Sequence, residues 1–448
     1  MKIARPLRIT LITLAVLVGV VVLLVILSIS SIDRNINYAQ MLNTMNARID
    51  LTDQVPIEPE RGFTIGYAKV NLTPKVPRAT AGYGKRLGKY YKGVHDSIYV
   101  RTLVIDNGIR RVAIVSADLL IIPPTVTALL EQQLPQVGFS LDNTYLGATH
   151  SHNSIGHWAT GATSLMYGMY EDSVVQFIAD KIKASIFQAS GNMLSATVSI
   201  DSVSIADGVL NRIDDDGPVD PLLRMIRIER SDSTKLIVTS YTAHATCLFS
   251  RDLELSGDYP GKLTQLLESQ GYDFAMFIAG AVGSHKPKAP DGGWVCVDWM
   301  AEKIADNVAK ASFQPMKSNY LEMHRVALVL PEPQAKVLER WRLNPGLFKV
   351  AFGDFPSFLT TLRFGDVVML GTPCDFSGEF NPVLDSVAAA SGVFPMVTSF
   401  NGGYIGYLTP EQYYDIDHYE TRLMNWFGPG SGEYVREALK KLLLSVAD

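Results

Sequence analysis

The feature that most constrains this chain is an uncharged apolar run near its N-terminus, residues 9–29 (ITLITLAVLVGVVVLLVILSI). As a helix rising about 1.5 Å per residue, the run can cross a bilayer hydrocarbon core about 30 Å thick. Lys2, Arg5 and Arg8 precede it, and positive flanking charge favours a cytoplasmic N-terminus. The sequence therefore predicts a single-pass membrane anchor over residues 1–30, with the rest of the chain on the extracytoplasmic side.

A cleaved signal peptide is the alternative interpretation of this run. The apolar region of a signal peptide normally spans about 7–15 residues and is followed by a small-residue cleavage site. Here the run is longer, and the segment SISSID is only a weak match to such a site. A buried core helix is disfavoured by the uniform apolar character of the run. The retained anchor is the preferred prediction.

Composition narrows the function of the remaining chain. Of 448 residues, 47% are hydrophobic and 19% are charged, which excludes disorder over most of the length. The formal net charge is −5, so there is no basic surface of the kind that binds nucleic acid. Cys247, Cys296 and Cys374 are too few and too scattered to predict a disulfide scaffold or a zinc ribbon. Their spacing leaves the redox compartment undetermined.

The pattern of the chain predicts one large domain after the anchor. Residues 31–60 show little periodicity and are interpreted as a juxtamembrane stalk, and residues 61–448 alternate between strand and helix patterns. Two β-rich runs, SIYVRTLVI and IRRVAIVSA, flank an Asp-Asn-Gly turn and predict a hairpin. Helices are predicted from PPTVTALLEQQL, YEDSVVQFIADKIKASIFQ and EYVREALKKLLLSVAD. Such alternation predicts an α/β fold with a mixed β-sheet core flanked by helices.

Three of the eight histidines, His150, His152 and His157, fall in one octet that follows the predicted strand NTYLGATH. Loops beyond strand ends are where α/β folds build their sites. If the strand continued, His150 and His152 would point to one face, where two imidazoles could bind a metal. A polar loop with hydrogen-bonded histidines is the alternative, and both interpretations remain open at this point.

Other candidate residues are ambiguous when taken singly. His95 precedes a strand and alone is typical of the surface, and His244 lies in an apolar run and is more typical of a core. Asp375 follows a strand, where a carboxylate can be a metal ligand or a helix N-cap. A tyrosine-rich stretch includes Tyr404, Tyr407, Tyr413, Tyr414 and Tyr419. No G-x-S-x-G, H-E-x-x-H, G-x-G-x-x-G or P-loop motif occurs, which disfavours serine triads, zincins and nucleotide chemistry.

Taken together, the segments resemble the neutral/alkaline (non-lysosomal) ceramidase family. GVHDSIYVRTLVI is similar to the family's G-x-H-x-x-L-x-A-R-A, and ATHSHNSIG is similar to T-H-T-H-S-G-P-G. TAHATCL resembles the A-V-H-P strand, SGDYPG resembles S-x-D-Y-P-G, and GTPCDF stands where the family has P-G-E. GYLTPEQYYDIDHYE resembles G-Y-V-T-T-x-E-E-Y-x-x-x-x-Y-E. These matches follow the family order from about residue 61 onward.

The resemblance implies a zinc amidase that cleaves the N-acyl bond of ceramide by means of zinc-activated water. The positions that match the family's zinc ligands are His95, His152, Asp375 and Tyr407. His150 and Tyr419 match the partner histidine and the second tyrosine of the active site. The implied role of these two residues is to stabilise the oxyanion or to protonate the leaving amine.

Three departures from the family pattern qualify this expectation. The serine of the N-R-S-P motif is Ile213 here, so an acyl-enzyme route through that serine is unavailable. The usual glutamate ligand is Asp375, one methylene shorter, and His285 stands within GSHKP where the family has G-D-V-N-P. The matched segments correspond to the catalytic domain, without the C-terminal β-sandwich domain of full-length members.

The sequence therefore predicts a membrane-anchored, Zn²⁺-dependent amidohydrolase that acts on ceramide or a related N-acyl lipid. One alternative is a hydrolase of the same fold that acts on another amide or ester. The other is a catalytically silent protein that binds lipid or glycan. Tight binding of zinc would separate the enzymes from the silent binder.

Overall fold

The computed structural model describes residues 5–52 and 62–447. Ten α-helices occur in the described residues: α1 (Arg5–Ser28), α2 (Tyr38–Asp50), α3 (Pro124–Gln133), α4 (Ser164–Tyr167), α5 (Asp172–Ser190), α6 (Asp258–Ser269), α7 (Trp294–Ala309), α8 (Pro345–Phe352), α9 (Asn381–Ala390) and α10 (Ser431–Ala447).

The strands of the same residues are β1 (Ile29–Ser31), β2 (Phe63–Asn71), β3 (Gly93–Val94), β4 (Tyr99–Asp106), β5 (Arg111–Ala117), β6 (Thr144–Ala148), β7 (Leu194–Ser204), β8 (Val209–Asn211), β9 (Leu222–Arg230), β10 (Lys235–Tyr241), β11 (Glu254–Leu255), β12 (Phe274–Ala279), β13 (His285–Pro287), β14 (Gln314–Pro315), β15 (Leu321–Ala327), β16 (Lys336–Leu338), β17 (Trp341–Leu343), β18 (Phe358–Phe364), β19 (Val367–Gly371), β20 (Asp375–Phe376), β21 (Phe394–Thr398) and β22 (Tyr407–Leu408).

Two sheets form the centre of the molecule. A nine-stranded mixed sheet runs β12-β10-β9-β7-β2-β4-β5-β6, with β14 paired to β7, and a four-stranded sheet runs β15-β18-β19-β21. The predicted hairpin is present as β4 and β5, closed by the pair Asp106↔Arg111. The α/β class with a mixed sheet and flanking helices is thus confirmed, whereas the second sheet was not predicted.

Apolar side chains pack the molecule into four layers. One core lies between the two sheets and includes Phe63, Tyr145 and Phe364. A second core lies between the large sheet and α3, α5, α6 and α7, and a third between the small sheet and α2, α9 and α10. Each sheet therefore buries both of its faces, which explains the continuous apolar runs of strands such as β12.

Parallel strand pairs bring several chain segments to one place. The pairs β5–β6, β10–β12 and β19–β21 are parallel. The β12 edge packs on the β5–β6 edge, since the Ser116 hydroxyl donates to the carbonyl of Phe277 at 2.6 Å. Loops that leave the carboxyl ends of β6, β10, β19 and β21 consequently meet, as expected for a site in an α/β fold.

The segment after α1 differs from the predicted stalk. The strand β1 pairs with β17, where Ser31 faces Trp341, and α2 buries Met45 and Ile49 completely against the third core. Residues 31–52 are therefore packed into the domain, because α2 has an apolar face. The rest of the predicted stalk, residues 53–60, lies outside the described residues.

A disulfide joins Cys247 to Cys296, and Cys374 is a buried free thiol. The bridge connects the loop after β10 to the first turn of α7, across 49 residues of sequence. One pair of the three cysteines therefore holds a loop of the candidate site.

Candidate metal centre

The loop after β6 carries two of the site histidines. The strand ends at Ala148, and His150 adopts a left-handed conformation with φ of 63°. Such a conformation is unusual for a residue other than glycine and is often found at functional sites. His150 and His152 therefore converge because the chain turns at His150, and not because they alternate along a strand as the sequence suggested.

A third histidine completes the cluster from a different strand. His244 lies three residues beyond the end of β10, and it is fully buried. Its Nε2 lies 2.8 Å from the Nε2 of His150 and 3.1 Å from that of His152, and the latter two are 3.1 Å apart. Three nitrogens bound to one tetrahedral zinc ion at 2.0–2.1 Å would be about 3.3 Å apart. The triangle is thus close to the size of a metal site.

The protonation of these imidazoles also suits a metal. Nδ1 of His150 lies 2.6 Å from the carbonyl oxygen of Leu120, so this nitrogen is the donor and Nε2 carries a lone pair. Burial lowers the pKa of His150 to about 3 and the pKa values of His152 and His244 well below the usual value. The three rings are therefore neutral near pH 7, which is the form that binds metals.

A carboxylate lies beside this triangle. The Oδ1 atom of Asp375 is 3.4 Å from the Nε2 of His150, is buried, and has no hydrogen-bond partner among the described residues. The hydroxyl of Tyr404 donates to Oδ2 at 2.7 Å, and burial raises the pKa of Asp375 to about 7. A buried oxygen without a partner next to three imidazole nitrogens fits a cation, so this donor set is suited to a metal.

Two tyrosines extend the site towards its opening. Asp375 and Tyr407 are paired residues of β20 and β22, and the ring of Tyr407 stacks 6.3 Å from that of His244. The ring of Tyr419 lies 6.0 Å from that of Tyr407 and is about half exposed. Tyr407 is therefore placed beside the cluster, and Tyr419 is placed where solvent reaches it.

An arginine that sequence analysis did not identify borders the cluster. Nη1 of Arg212 lies 3.3 Å from Nδ1 of His244, and its Nε is 2.6 Å from an oxygen of the buried Glu420. This cation contributes to the lowered pKa of His244, after burial and the neighbouring His150. Arg212 directly precedes Ile213 and stands at the arginine position of the N-R-S-P motif. Only the serine position of that motif was considered as a candidate from the sequence.

The structure does not bring His95 to the cluster. Its side chain is 47% exposed, its ring stacks on Trp294 with centroids 3.7 Å apart, and its Nδ1 lies 3.1 Å from Asp96. In the described part of the chain, the histidines grouped closely enough to hold a metal are His150, His152 and His244. The structure thus separates His95 from the cluster and places His244 in it, whose TAHATCL segment had been matched to the A-V-H-P strand.

The two other departures from the family pattern lie next to this centre. Ile213 is 8% exposed, and its backbone N–H donates to Asn211. His285 is buried and accepts a hydrogen bond from the backbone of Asp220 at 3.1 Å. Both residues are held in structural contacts, and neither offers a ligand atom to the cluster described above.

Comparison with known proteins shows which family this chain is similar to. The family model described as neutral/alkaline non-lysosomal ceramidase, N-terminal, matches residues 63–282. A neutral ceramidase of Mycobacterium tuberculosis is 24% identical over 204 residues, which is 40% of this chain. The match spans 31%, about a third, of that protein's length.

Solved structures share the fold. The crystal structure of a neutral ceramidase from Pseudomonas aeruginosa has a TM-score of 0.73 and 17% identity, covering 87% of this chain and 74% of that one. A ceramidase complexed with C2 has a TM-score of 0.72 and 16% identity, covering 87% and 75%. The α/β architecture described above is therefore that of neutral ceramidases, in agreement with the resemblance found in the sequence.

Proposed function

We propose that this chain, whose residues 63–282 match the neutral/alkaline non-lysosomal ceramidase family, is a metal-dependent amidohydrolase of an N-acyl lipid such as ceramide. The observation that carries the proposal is the convergence of three neutral imidazole nitrogens within 3.1 Å of one another beside the unpartnered Asp375 oxygen. A structural ion pair does not explain a cluster of three neutral imidazoles, because the members of an ion pair carry opposite charges.

The metal we propose is Zn²⁺, because imidazole, carboxylate and phenol oxygen suit it. The donors that would hold it are His150, His244, Asp375 and Tyr407. When bound, zinc polarises an acyl carbonyl and lowers the pKa of water towards about 7. His150 would be oriented by Leu120, which accepts the proton of its Nδ1. This proposed assignment moves His150 from a purely catalytic role to the ligand set, and it moves His152 from the predicted ligand set to catalysis.

His152 and Tyr419 would act on the substrate. His152 is the most exposed of the three clustered histidines, and its Nδ1 has no partner within the described residues. We therefore assign it to proton transfer: its ring would accept a proton from the attacking water and deliver it to the leaving amine nitrogen. The exposed hydroxyl of Tyr419 would donate a hydrogen bond to the acyl oxygen as negative charge develops there.

Metal analysis combined with an activity assay tests this function. The full chain, purified in detergent, is expected to hold about one zinc per molecule and to release fatty acid from a fluorescent ceramide. Chelation should remove both the metal and the activity, and added zinc should restore both. Ceramide hydrolysis that persists in metal-free protein would refute the metal-dependent mechanism, and tight zinc binding without hydrolysis would point to another substrate.

A membrane-anchored location supports a lipid substrate. The span Ile9–Ser28 is long and apolar enough to cross a bilayer and is not buried against the domain. The Cys247–Cys296 disulfide is of a kind that persists in oxidising compartments, which favours an extracytoplasmic domain. Protease added outside sealed cells should therefore digest the domain. Protection from that protease, or recovery of a soluble protein lacking residues 1–31, would contradict this topology.

A further inference from the structure

The end of the anchor helix is attached to the domain by backbone hydrogen bonds. The carbonyl of Ser28, the last residue of α1, accepts from the N–H of Asn344 at 2.8 Å. Asn344 in turn caps the N-terminus of α8 through Gly346. The next residue along the chain, Ile29, pairs with Leu343. The point where the chain leaves the membrane is thus fixed next to α8.

The helix α8 is amphipathic, and most of its residues are apolar. Phe348 faces the core and packs edge-on against Trp426, whereas Leu347 and Val350 face outward. Val350 is 77% exposed. The exposed side chains of Trp341 and Phe355 flank the helix on either side along the sequence. Large apolar side chains grouped in this way are uncommon on a surface that meets only water.

The same apolar surface continues to the metal centre. The backbone of α8 meets the turn at Gly161 so closely that a methyl group there would collide with the carbonyl of Ala351. After this turn, Leu165 and Met169 are 64% and 65% exposed. The segment packs on residues 82–88, and Arg86 of that stretch donates to the carbonyl of His152 at 2.6 Å. The exposed apolar side chains therefore reach from the anchor to the surroundings of the site.

Charge does not account for this surface. The ion pairs that border it are Arg34–Asp415, Arg342–Glu332 and Lys349–Asp354. A neighbouring cavity of about 910 Å³ is lined by cations and by acids such as Asp415 and Asp417. Since opposite charges balance here, attraction to anionic lipid is weak, and apolar burial is the main source of affinity.

We propose that Trp341, Leu347, Val350, Phe355, Leu165 and Met169 form a membrane-docking face that enters the interfacial layer of the leaflet in which α1 ends. Tryptophan and aliphatic side chains favour this layer. The occupant of the face is a lipid surface, because the anchor that leaves the bilayer at Ser28 holds the face next to it. The inference rests on the proposed membrane anchoring and states how the domain lies on the bilayer.

Depth-dependent quenching tests the docking face in the full chain. A fluorophore on Val350→Cys or Leu165→Cys, in phosphatidylcholine vesicles, is expected to be quenched several-fold more by nitroxide lipids than one on Phe187→Cys. Phe187 is the matched control, being 66% exposed on α5 in the other helical layer. The native cysteines do not interfere, since two are bonded and Cys374 is fully buried. Equal quenching at the three positions would overturn the proposal.

An activity comparison gives an independent result. The double variant Leu347→Asp/Val350→Asp is expected to reduce hydrolysis of ceramide in vesicles by at least about tenfold. The loss of two apolar contacts with the bilayer lowers the affinity of the face for the membrane by more than about tenfold. Hydrolysis of a short-chain substrate in detergent should not change. Equal activity on vesicles would also overturn the docking face. Absence of any hydrolysis by the unmodified chain would instead refute the proposed function, while the quenching result would still decide the docking.

Discussion

His95 and His244 lie near the two ends of one disulfide and have opposite environments. His244 is fully buried, three residues before Cys247, with its Nε2 between those of two other histidines. His95 stacks on Trp294, which stands two residues before Cys296, and its side chain is 47% exposed. One ring belongs to a cluster that could hold a metal, and the other stacks on a tryptophan.

The difference shows what brings a histidine into a cluster that could hold a metal. His244 follows a strand end, where it meets the loops of two other strands and where its charge is suppressed by burial. His95 follows the short strand β3, next to solvent and beside the acid Asp96. A motif match alone does not separate the two, because both segments resemble histidine-containing motifs of the family.

The largest effect is expected when His244 or His95 is replaced by alanine. His244→Ala should lose metal affinity by more than about 100-fold, beyond the 10–100-fold typical of residues that only orient a ligand, and should abolish hydrolysis. His95→Ala should keep both properties. Zinc stoichiometry and turnover of the two variants, measured side by side, decide the comparison. The assigned roles of the two histidines would be reversed if His95→Ala released the metal and His244→Ala retained it.

The next effect concerns the substrate side of the cluster. Tyr419→Phe should retain the metal and lower kcat by roughly 10²–10³, because only a hydrogen bond to the developing oxyanion is lost. Tyr413→Phe provides a control, since that hydroxyl donates to Glu379 instead. Metal content and kcat are the measurements. An unchanged kcat in Tyr419→Phe would remove this residue from the proposed mechanism.

The disulfide should affect stability more than chemistry. Cys296→Ser opens a loop of 49 residues, for which a loss of about 2–4 kcal/mol in the free energy of unfolding is typical. Denaturant unfolding of the full chain in detergent measures this loss. Cys374→Ser, which breaks no bond, is the control. If the two variants unfolded alike, the bridge would not be holding the His244 loop.

The smallest effect is expected at the position where the family has serine. Ile213→Ser should change kcat by less than about threefold, because the proposed mechanism uses no serine nucleophile. A large gain in activity, together with sensitivity to serine-directed reagents, would show that a serine nucleophile can act at this position.

Local patterns predicted much of the fold. The β4–β5 hairpin followed from its turn, and α5 and α10 followed from their apolar periodicity. The helix α2 was also visible, since Tyr38, Met41, Leu42, Met45 and Ile49 have helical spacing, but the segment was interpreted as a stalk. The second sheet was not predictable in this way, because its pairing joins strands distant in sequence.

The site was predictable only in part, for a physical reason. His152, Asp375 and Tyr407 were singled out as candidate ligands, and the structure brings them together, although their roles remain predictions. His244 was interpreted as a core residue because the apolar run TSYTAHATCL shows no break where β10 ends at Tyr241. The convergence of loops depends on sheet order, which spacing along the chain does not encode.

The pairing of β1 with β17 has a consequence for the proposed anchored form. A flexible tether would let the domain tumble freely above the bilayer, whereas here the helix runs straight into a hydrogen-bonded strand. A transmembrane helix tilts when the bilayer is thinner than its apolar length. Because no flexible linker follows the helix at residue 29, a tilt of the helix would rotate the domain. In the proposed anchored form, bilayer thickness would therefore set the angle at which the domain lies on the membrane.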